Sequence, residues 1–302
     1  MPLSDQAVKK AKLADKPYRL AGTFQSIWDQ SIQPKLRRMG VDVQRYPPQP
    51  QPQPDWTEIA FMKLLAARDA QSRGQMSDAD AFVLFCARHA QESHSQLFQD
   101  LFVRWQLGDK REGFFVEFGA TDGVSLSNSK CLEADFQWRG ILAEPARCWH
   151  ERLSRNRTCT IDTRCVWTST GETLRFNEVP FAELSTVESF SDKDHHSASR
   201  QNGTVYEVQT VSLNDLLAEH EAPAVMDYLS IDTEGSELSI LENLDFSRYR
   251  FNVITVEHNC TPNREKIFSL LNQYGYQRKF TQFSRFDDWY VHSSLPSKSA
   301  FD

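Results

Sequence analysis

The sequence has no excess of basic residues, no long apolar run and no closely paired cysteines, and each absence removes a class of function. Lys and Arg number 34 against 41 Asp and Glu in 302 residues, a formal net charge of −7. An acidic chain of this kind lacks the electrostatic footprint of a protein whose main partner is nucleic acid or an anionic membrane. No stretch approaches the ~18 consecutive apolar residues that a membrane span needs. The opening MPLSDQAVKKAKLADKPYRL has lysines but no apolar run behind them, so it does not read as a secretory signal. Cys86, Cys131, Cys148, Cys159, Cys165 and Cys260 are scattered without a CxxC pair. They offer no zinc knuckle and read as reduced, mostly buried thiols. What is present, 40% hydrophobic and 25% charged residues, is enough to fill a core. The expectation is a soluble, cytoplasmic globular protein with no nucleic-acid partner and no membrane span.

The chain divides by composition. Tyr46-Pro-Pro-Gln-Pro-Gln-Pro-Gln-Pro-Asp55 alternates proline, which removes backbone donors and fixes φ, so neither helix nor sheet runs through it. It reads as a polyproline II spacer of ~25 Å. Before it, Phe24, Ile27, Trp28, Ile32 and Leu36 recur near a helical period over about 22–39. After it, helices are expected over Trp56–Ser72, from an N-cap at Ser77 to about 92, and over about 95–107. Residues 1–45 are then a helical segment, 46–55 a linker, 56–110 a helical cap, 111–295 the catalytic domain and 296–302 a tail.

From Gly113 the pattern changes. Short apolar runs at Phe114–Phe118, Gly140–Ala143, Thr158–Ile161, Tyr228–Ile231, Val253–Val256, Tyr276–Phe280 and Trp289–His292 alternate with helical stretches such as Leu213–His220, Ser236–Leu244 and Arg264–Tyr274. This predicts an α/β fold with a doubly wound, mostly parallel sheet. Glu172–Val179 and Thr204–Val211 alternate polar and apolar residues and read as extra antiparallel strands. Ser185–Gly203 between them, with His195-His196, reads as a solvated loop and possible substrate lid.

The first strand runs into Glu117-Phe-Gly119-Ala120-Thr121-Asp122-Gly123, an ExGxxxG turn. An acid stands where the dinucleotide fingerprint has its first glycine. A pyrophosphate would be repelled there, whereas a cationic amino group, as in S-adenosylmethionine, would be attracted. Glu144, 27 positions later at the end of the second strand, is placed to accept from both ribose hydroxyls.

These residues resemble a known family. Ser95-Gln96-Leu-Phe-Gln99-Asp100, Gly113 to Gly123, Leu126-Ser127-Asn128-Ser129, Leu132-Glu133, Gly140 to Pro145, Val211 to Leu217, Asp227 to Glu237 and Val256-Glu-His-Asn259 are similar to the FkbM family of S-adenosylmethionine-dependent methyltransferases, over about 93–292. The resemblance implies a class I methyltransferase fold: a Rossmann-like, seven-stranded sheet with its last strand antiparallel, here with a helical N-terminal extension. It also implies O-methylation of a hydroxyl on a sugar, glycan or natural product. Thr121 and Ser129 stand where the family more often has Asn or another polar residue, and Thr. Cofactor contacts are expected at Glu117, Gly119, Ala120, Asp122, Gly123, Ser127, Asn128, Glu144, Pro145, Asp162 and Gln96.

Ligands of open α/β sheets bind beyond the carboxyl ends of the strands. That rule gathers Asp232, Glu234, Glu257, His258 and Asn259 on one rim. Crowded carboxylates need a cation, a shared proton or a basic partner. One solution is Mg2+ or another divalent cation on Asp232, Glu257 and Asn259. That layout is similar to catechol O-methyltransferase, except that His258 intervenes before Asn259. The other solution makes Asp232 or His258 the general base, with Glu234 beside them. Glu237 is expected in the first turn of the next helix, where the macrodipole favours an acid. Two other readings compete: a nucleotide-dependent Rossmann enzyme of another class, and a non-catalytic scaffold that joins an oligomer or protein partner through residues 1–92.

Overall fold

A computed structural model describes residues 56–179, 185–187 and 203–296. The helix expected over 22–39, the proline spacer, His195-His196 and all but the first residue of the tail lie outside the described residues. Contacts divide the chain into two units, 1–59 and 60–302, of which the second carries the sheet.

The elements in order are α1 (Trp56–Ser72), α2 (Asp78–His89), α3 (Gln99–Leu107), β1 (Phe114–Phe118), α4 (Lys130–Phe136), β2 (Arg139–Ala143), α5 (His150–Asn156), β3 (Thr160–Asp162), β4 (Cys165–Trp167), β5 (Thr173–Glu178), β6 (Thr186–Val187), β7 (Thr204–Ser212), α6 (Leu213–Glu219), β8 (Val225–Ile231), α7 (Glu237–Glu242), β9 (Arg250–Glu257), α8 (Asn263–Gln273), β10 (Tyr276–Lys279) and β11 (Asp287–His292). The main sheet has the order β10-β11-β9-β8-β1-β2-β3. β9, β8, β1, β2 and β3 run parallel, and β11 runs antiparallel to both its neighbours. This is the class I methyltransferase topology, and all seven apolar runs read from the sequence are its strands. No described helix is long and apolar enough to cross a membrane.

β1 is central and buried on both faces, so it reads as a near-continuous apolar run. The two-residue period of the strand sends Val116 and Phe118 to one core, with Ile141, Leu229 and Ile254, under α6, α7 and α8. It sends Phe115 to the other, with Leu142, Tyr228 and Val253, under α2, α3 and α4. At the end of the sheet away from the ligand, Asp227 accepts from Lys110 Nζ at 2.7 Å, the Phe114 N–H at 3.0 Å and Asn252 Nδ2 at 3.0 Å, tying β1, β8 and β9 together.

Several boundaries differ from expectation, each for a visible reason. α3 begins at Gln99, not 95. Asp100 accepts from Ser93 Oγ at 2.6 Å and the His94 N–H at 2.9 Å, and Phe98 takes φ 65°, so 93–98 is a bend. β3 begins at Thr160 because the Glu133 carboxylate takes the N–H groups of Thr158 and Cys159 at 2.8 and 3.1 Å. β5 and β7 are the expected extra strands. They join β4, which the sequence reading left unassigned, and β6, a short strand at the start of the expected Ser185–Gly203 loop, in a second sheet of order β4-β7-β5-β6.

The expected division at 110/111 runs through a single core. Phe82 of α2 stacks on Phe280 with centroids 4.9 Å apart, and Phe102 of α3 lies 4.9 Å from Trp289 of β11. Phe102 and Trp289 are both almost fully buried. The helices are therefore one layer of the domain, not a separable cap. Phe102→Ala should cost about 3–5 kcal/mol and lower the melting temperature by roughly 10 °C in a domain of this size, in one cooperative transition. Calorimetry checks this; two separate transitions would mean that the helices fold apart from the sheet.

Candidate functional site

The carboxyl ends of β1, β2, β8 and β9 open into one cavity of ≈ 260 Å³. It is lined by Glu117 and Gly119 from β1 and its turn, Glu144 and Pro145 after β2, Asp232 to Glu234 after β8, and Glu257 and Asn259 after β9. Cys165, Val166, Phe176 and Val187 of the second sheet form a further wall, and Gln96, Gln99 and Leu126 another. Thr186 Oγ1 donates to the Glu234 carbonyl at 3.0 Å, which fixes β6 to the turn after β8.

The turn after β1 is held from behind. Glu117 is buried, and its carboxylate accepts from the Asn128 N–H at 2.7 Å, Ser127 Oγ at 3.1 Å and Ser129 Oγ. The fully buried Arg157 guanidinium lies 3.9 Å from Glu117 Oε2. It also donates to Ser127 Oγ at 3.0 Å, Ser129 Oγ at 2.8 Å and the Gly123 carbonyl at 3.2 Å, and pairs with Glu133. The expected attraction of Glu117 for a cofactor amino group is thus replaced by an internal role: the chain itself fills the carboxylate's acceptor positions. Arg157 escaped the sequence reading, since an arginine at the end of a short polar helix carries no motif.

Both turn glycines are required by the protein's own packing. Gly119 has φ 73°, and a Cβ there would lie 2.1 Å from the Asp232 carbonyl oxygen. At Gly123, φ 76°, it would meet Arg157 and Leu153 at 2.6 and 2.7 Å. Asp122 accepts from the N–H groups of Val124 and Ser125 at 2.9 and 2.8 Å, shaping the turn. Of the expected cofactor contacts, Ala120, Asp122, Gly123, Ser127 and Asp162 do not line the cavity. Asp162 is held by Arg164, through Nη2 at 2.6 Å and the N–H at 2.9 Å, so its carboxylate is spent there. Asn128 does line the cavity, and its Nδ2 donates to Ser230 Oγ at 2.9 Å. Gln96 lines the cavity from the bend before α3, not from a helix.

Glu144 is buried at the cavity wall. One oxygen accepts from the Thr121 N–H and the other from the Ala146 N–H, each at 2.8 Å. Each oxygen keeps lone pairs for a further donor. Burial pushes its carboxyl up to about 7.

Across the cavity, oxygens of Asp232, Glu234 and Glu257 lie within 4.8 Å of one another. Burial raises Asp232 and Glu257 above the usual carboxylate range, with repulsion from Asp287 and Glu237 adding to the first and from Asp232 and Glu234 to the second. Asp287, paired with Glu257 in register, is pushed up to about 7 chiefly by burial and accepts from Gln99 Nε2 at 2.8 Å. Glu257 Oε2 is buried without a hydrogen-bond partner. An orphaned carboxylate oxygen beside two further acids is a donor set that suits a hard divalent cation. Its third member is Glu234, where the sequence reading had Asn259; Asn259 Nδ2 instead donates to Glu234 Oε2 at 3.2 Å. Glu237 stands in the first turn of α7, as expected, and accepts from the Thr233 and Gly235 N–H groups at 3.1 and 2.8 Å.

His258 does not line the cavity. Its Nδ1 accepts from the Cys260 N–H at 3.0 Å, and its Nε2 lies 3.8 Å from Asp288 Oδ1. Burial lowers its pKa, which keeps the ring neutral. Asn259 and Cys260 take φ 45° and 55°, conformations that a non-glycine residue holds only under constraint. His258 therefore shapes the turn that presents Glu257 and Asn259, and it is not placed to act as a base.

The family model of the methyltransferase FkbM domain matches residues 117–278. No curated protein matches the chain. Among solved structures, the methyltransferase FkbM from Methylobacillus flagellatus KT is similar at 17% identity and TM-score 0.39, over 79% of this chain and 61% of that one. This chain thus spans about three fifths of that structure's length. A precorrin-6y C5,15-methyltransferase from Geobacter metallireducens GS-15 is similar at 12% identity and TM-score 0.34, over 64% and 85%. The O-methyltransferase from Bacillus cereus in complex with SAH is similar at 12% identity and TM-score 0.33, over 75% and 95%.

The reading of His258 can be tested by substitution. Asn at 258 keeps an acceptor at the δ position, and Ala does not. His258→Asn should retain most turnover. His258→Ala should lose about ten-fold, the worth of one buried hydrogen bond, and recover in part when Cys260→Gly removes the strain at φ 55°. Equal losses in both single variants, measured as initial rates across pH, would return the ring to the chemistry.

Proposed function

As the chain belongs to the FkbM methyltransferase family, we propose that it moves a methyl group from S-adenosylmethionine to a hydroxyl of a small molecule or glycan. One observation carries this reading: Glu144 and the β1 turn share a cavity with the Asp232–Glu257 acids. The residues fit the cofactor. Glu144 has lone pairs left for ribose hydroxyls, and Pro145, Cys165 and Val166 offer an apolar wall beside it for a base. No Lys or Arg among the described lining residues favours a pyrophosphate ligand instead.

S-adenosylmethionine supplies a methyl group already activated on a sulfonium. The chain must align the acceptor with it and receive one proton. Alignment of this kind is worth about 7–11 kcal/mol of barrier. In our reading Asp232 takes the hydroxyl proton, and its raised pKa suits it to do so near neutral pH. Glu234 and Asn259, joined at 3.2 Å, flank it and orient the acceptor. In the alternative solution Asp232, Glu234 and Glu257 would hold a divalent cation, which would offset their repulsion and polarise the acceptor oxygen, and Asp232 would then be a ligand and not the base.

Asp232→Asn should lower kcat about 10²–10⁴-fold while the Kd for S-adenosylhomocysteine stays within about three-fold, by calorimetry, since the amide keeps the shape of the wall. Stabilisation of the wild type by NAD but not by S-adenosylhomocysteine, in a thermal-shift comparison, would sink the reading.

The acids make a second, independent prediction. The carboxyls of Asp232, Glu257 and Asp287 stay protonated in the folded state to higher pH than in the unfolded chain, where they titrate near ~4. Folding therefore binds protons between about 4 and the folded value of about 7 for Asp287. In chelator, stability falls as pH rises through that window. A divalent cation competes with those protons, so Mg2+ or Mn2+ should raise the melting temperature more at pH 8 than at pH 6. A melting temperature blind to both metals at pH 8, with full turnover in chelator, would remove the cation from the proposal.

A further inference from the structure

A polar row crosses the sheet near the carboxyl ends of its central strands. Glu117 of β1, Ser230 of β8 and Thr255 of β9 are register partners, so their side chains leave the sheet on one face. All three are buried. The Tyr228 hydroxyl lies 2.8 Å from Thr255 Oγ1, and Thr255 Oγ1 donates to Ser230 Oγ at 3.4 Å. Hydroxyls in a core are costly unless they are met, and a connected network of them fixes the geometry of the group that ends it.

The row ends on Asn128. Its N–H donates to Glu117 Oε1 at 2.7 Å and its Nδ2 to Ser230 Oγ at 2.9 Å, so backbone and side chain are held by adjacent strands. Asn128 lines the cavity, and its Oδ1 is buried without a hydrogen-bond partner. An unmet amide oxygen is costly to bury, and a donor on a ligand would meet it. The amide is neutral, so its preference for a donor does not depend on the protonation of the acids around it.

The sheet order says which part of the cofactor brings that donor. Glu144 follows β2, Asn128 bridges β1 and β8, and Asp232 follows β8. A cofactor laid with its ribose at Glu144 and its methyl group toward Asp232 carries its methionine tail across β1. The strong donor of that tail is its amino group. Glu117 is closed to it, because Ser127, Asn128 and Ser129 fill the carboxylate's acceptor positions.

Resting on the methyltransferase reading above, we propose that the Asn128 carbonyl oxygen receives the amino group of the methionine tail. Ser230, backed by Thr255 and Tyr228, is the positioning residue that holds the amide nitrogen and leaves the oxygen for the ligand.

The test needs no acceptor and no turnover. Calorimetric Kd values are measured for S-adenosylhomocysteine, for its analogue without the amino group and for its analogue without the carboxylate. The wild type should bind S-adenosylhomocysteine about ten-fold or more tightly than the amino-free analogue, the worth of a hydrogen bond to a charged group. In Asn128→Ala that gap should fall below about three-fold, while the Kd of the amino-free analogue moves less than about two-fold. A variant that merely loosened the wall would weaken both ligands alike. Ser230→Ala keeps the amide but not its anchor and should narrow the gap about three-fold. If Asn128→Ala does not fold, by its melting curve, Ser230→Ala carries the test. A wild-type gap below about three-fold, or a gap unchanged in the folded variants, overturns the proposal. So does a variant that loses its hold on the carboxylate instead, read from the third ligand, since the amide would then present its N–H groups. Failure of S-adenosylhomocysteine itself to bind would overturn the methyltransferase reading.

Discussion

A carboxylate buried at the end of the central strand organises this molecule. Glu117 leaves water when β1 enters the sheet, and a buried acid must be met by donors. Three consecutive residues, Ser127, Asn128 and Ser129, supply them. Folding them back onto Glu117 closes the turn and sets the start of α4. Arg157 then completes the arrangement from α5 and reaches Glu133 on the far side of α4. Three segments, separate in sequence, meet on one pair of opposite charges. Removing one partner from such a buried pair typically costs about 3–5 kcal/mol, so the geometry of the cavity and the stability of the sheet rest on the same contact.

The second constraint is steric. β1 and β8 are adjacent parallel strands, and their continuations cross where Gly119 meets the Asp232 carbonyl. The absence of a side chain at 119 lets the two turns approach. That approach brings the side of the cavity that carries Glu144 against the side that carries Asp232. A glycine that looks like ligand recognition in the sequence is here an instruction about strand ends. Both halves of the cavity are thus assembled by the strand ends themselves.

Much of this was legible beforehand, for physical reasons that also mark where legibility stops. Strands buried on two faces must be apolar throughout, so β1, β2, β8 and β9 announce themselves. Strand ends carry the ligand in open α/β sheets, so Glu144, Asp232, Glu234 and Glu257 could be gathered without coordinates. The direction of a side chain at a strand end was not legible. Glu257 and His258 are neighbours, yet one lines the cavity and the other turns to Cys260 and Asp288. Nor was the competition between internal and external partners. Asp162 and Glu144 both follow parallel strands, but Arg164 two residues on captures the first, while only backbone N–H groups meet the second. The wall formed by Phe176 and Val187 comes from short strands whose pairing depends on segments far along the chain.

The distribution of compensation is itself informative. Where acids serve the fold, the chain supplies a cation: Arg157 for Glu117 and Glu133, Arg164 for Asp162, Arg264 and Arg278 for Asp288. Where acids line the cavity at the ends of β8 and β9, burial and then repulsion lift Asp232 and Glu257, and an oxygen of Glu257 goes unmet. A chain able to neutralise buried carboxylates at three places leaves them uncompensated at the fourth, at a cost to stability. Protonation meets part of that cost, as the raised carboxyls of Asp232 and Glu257 show.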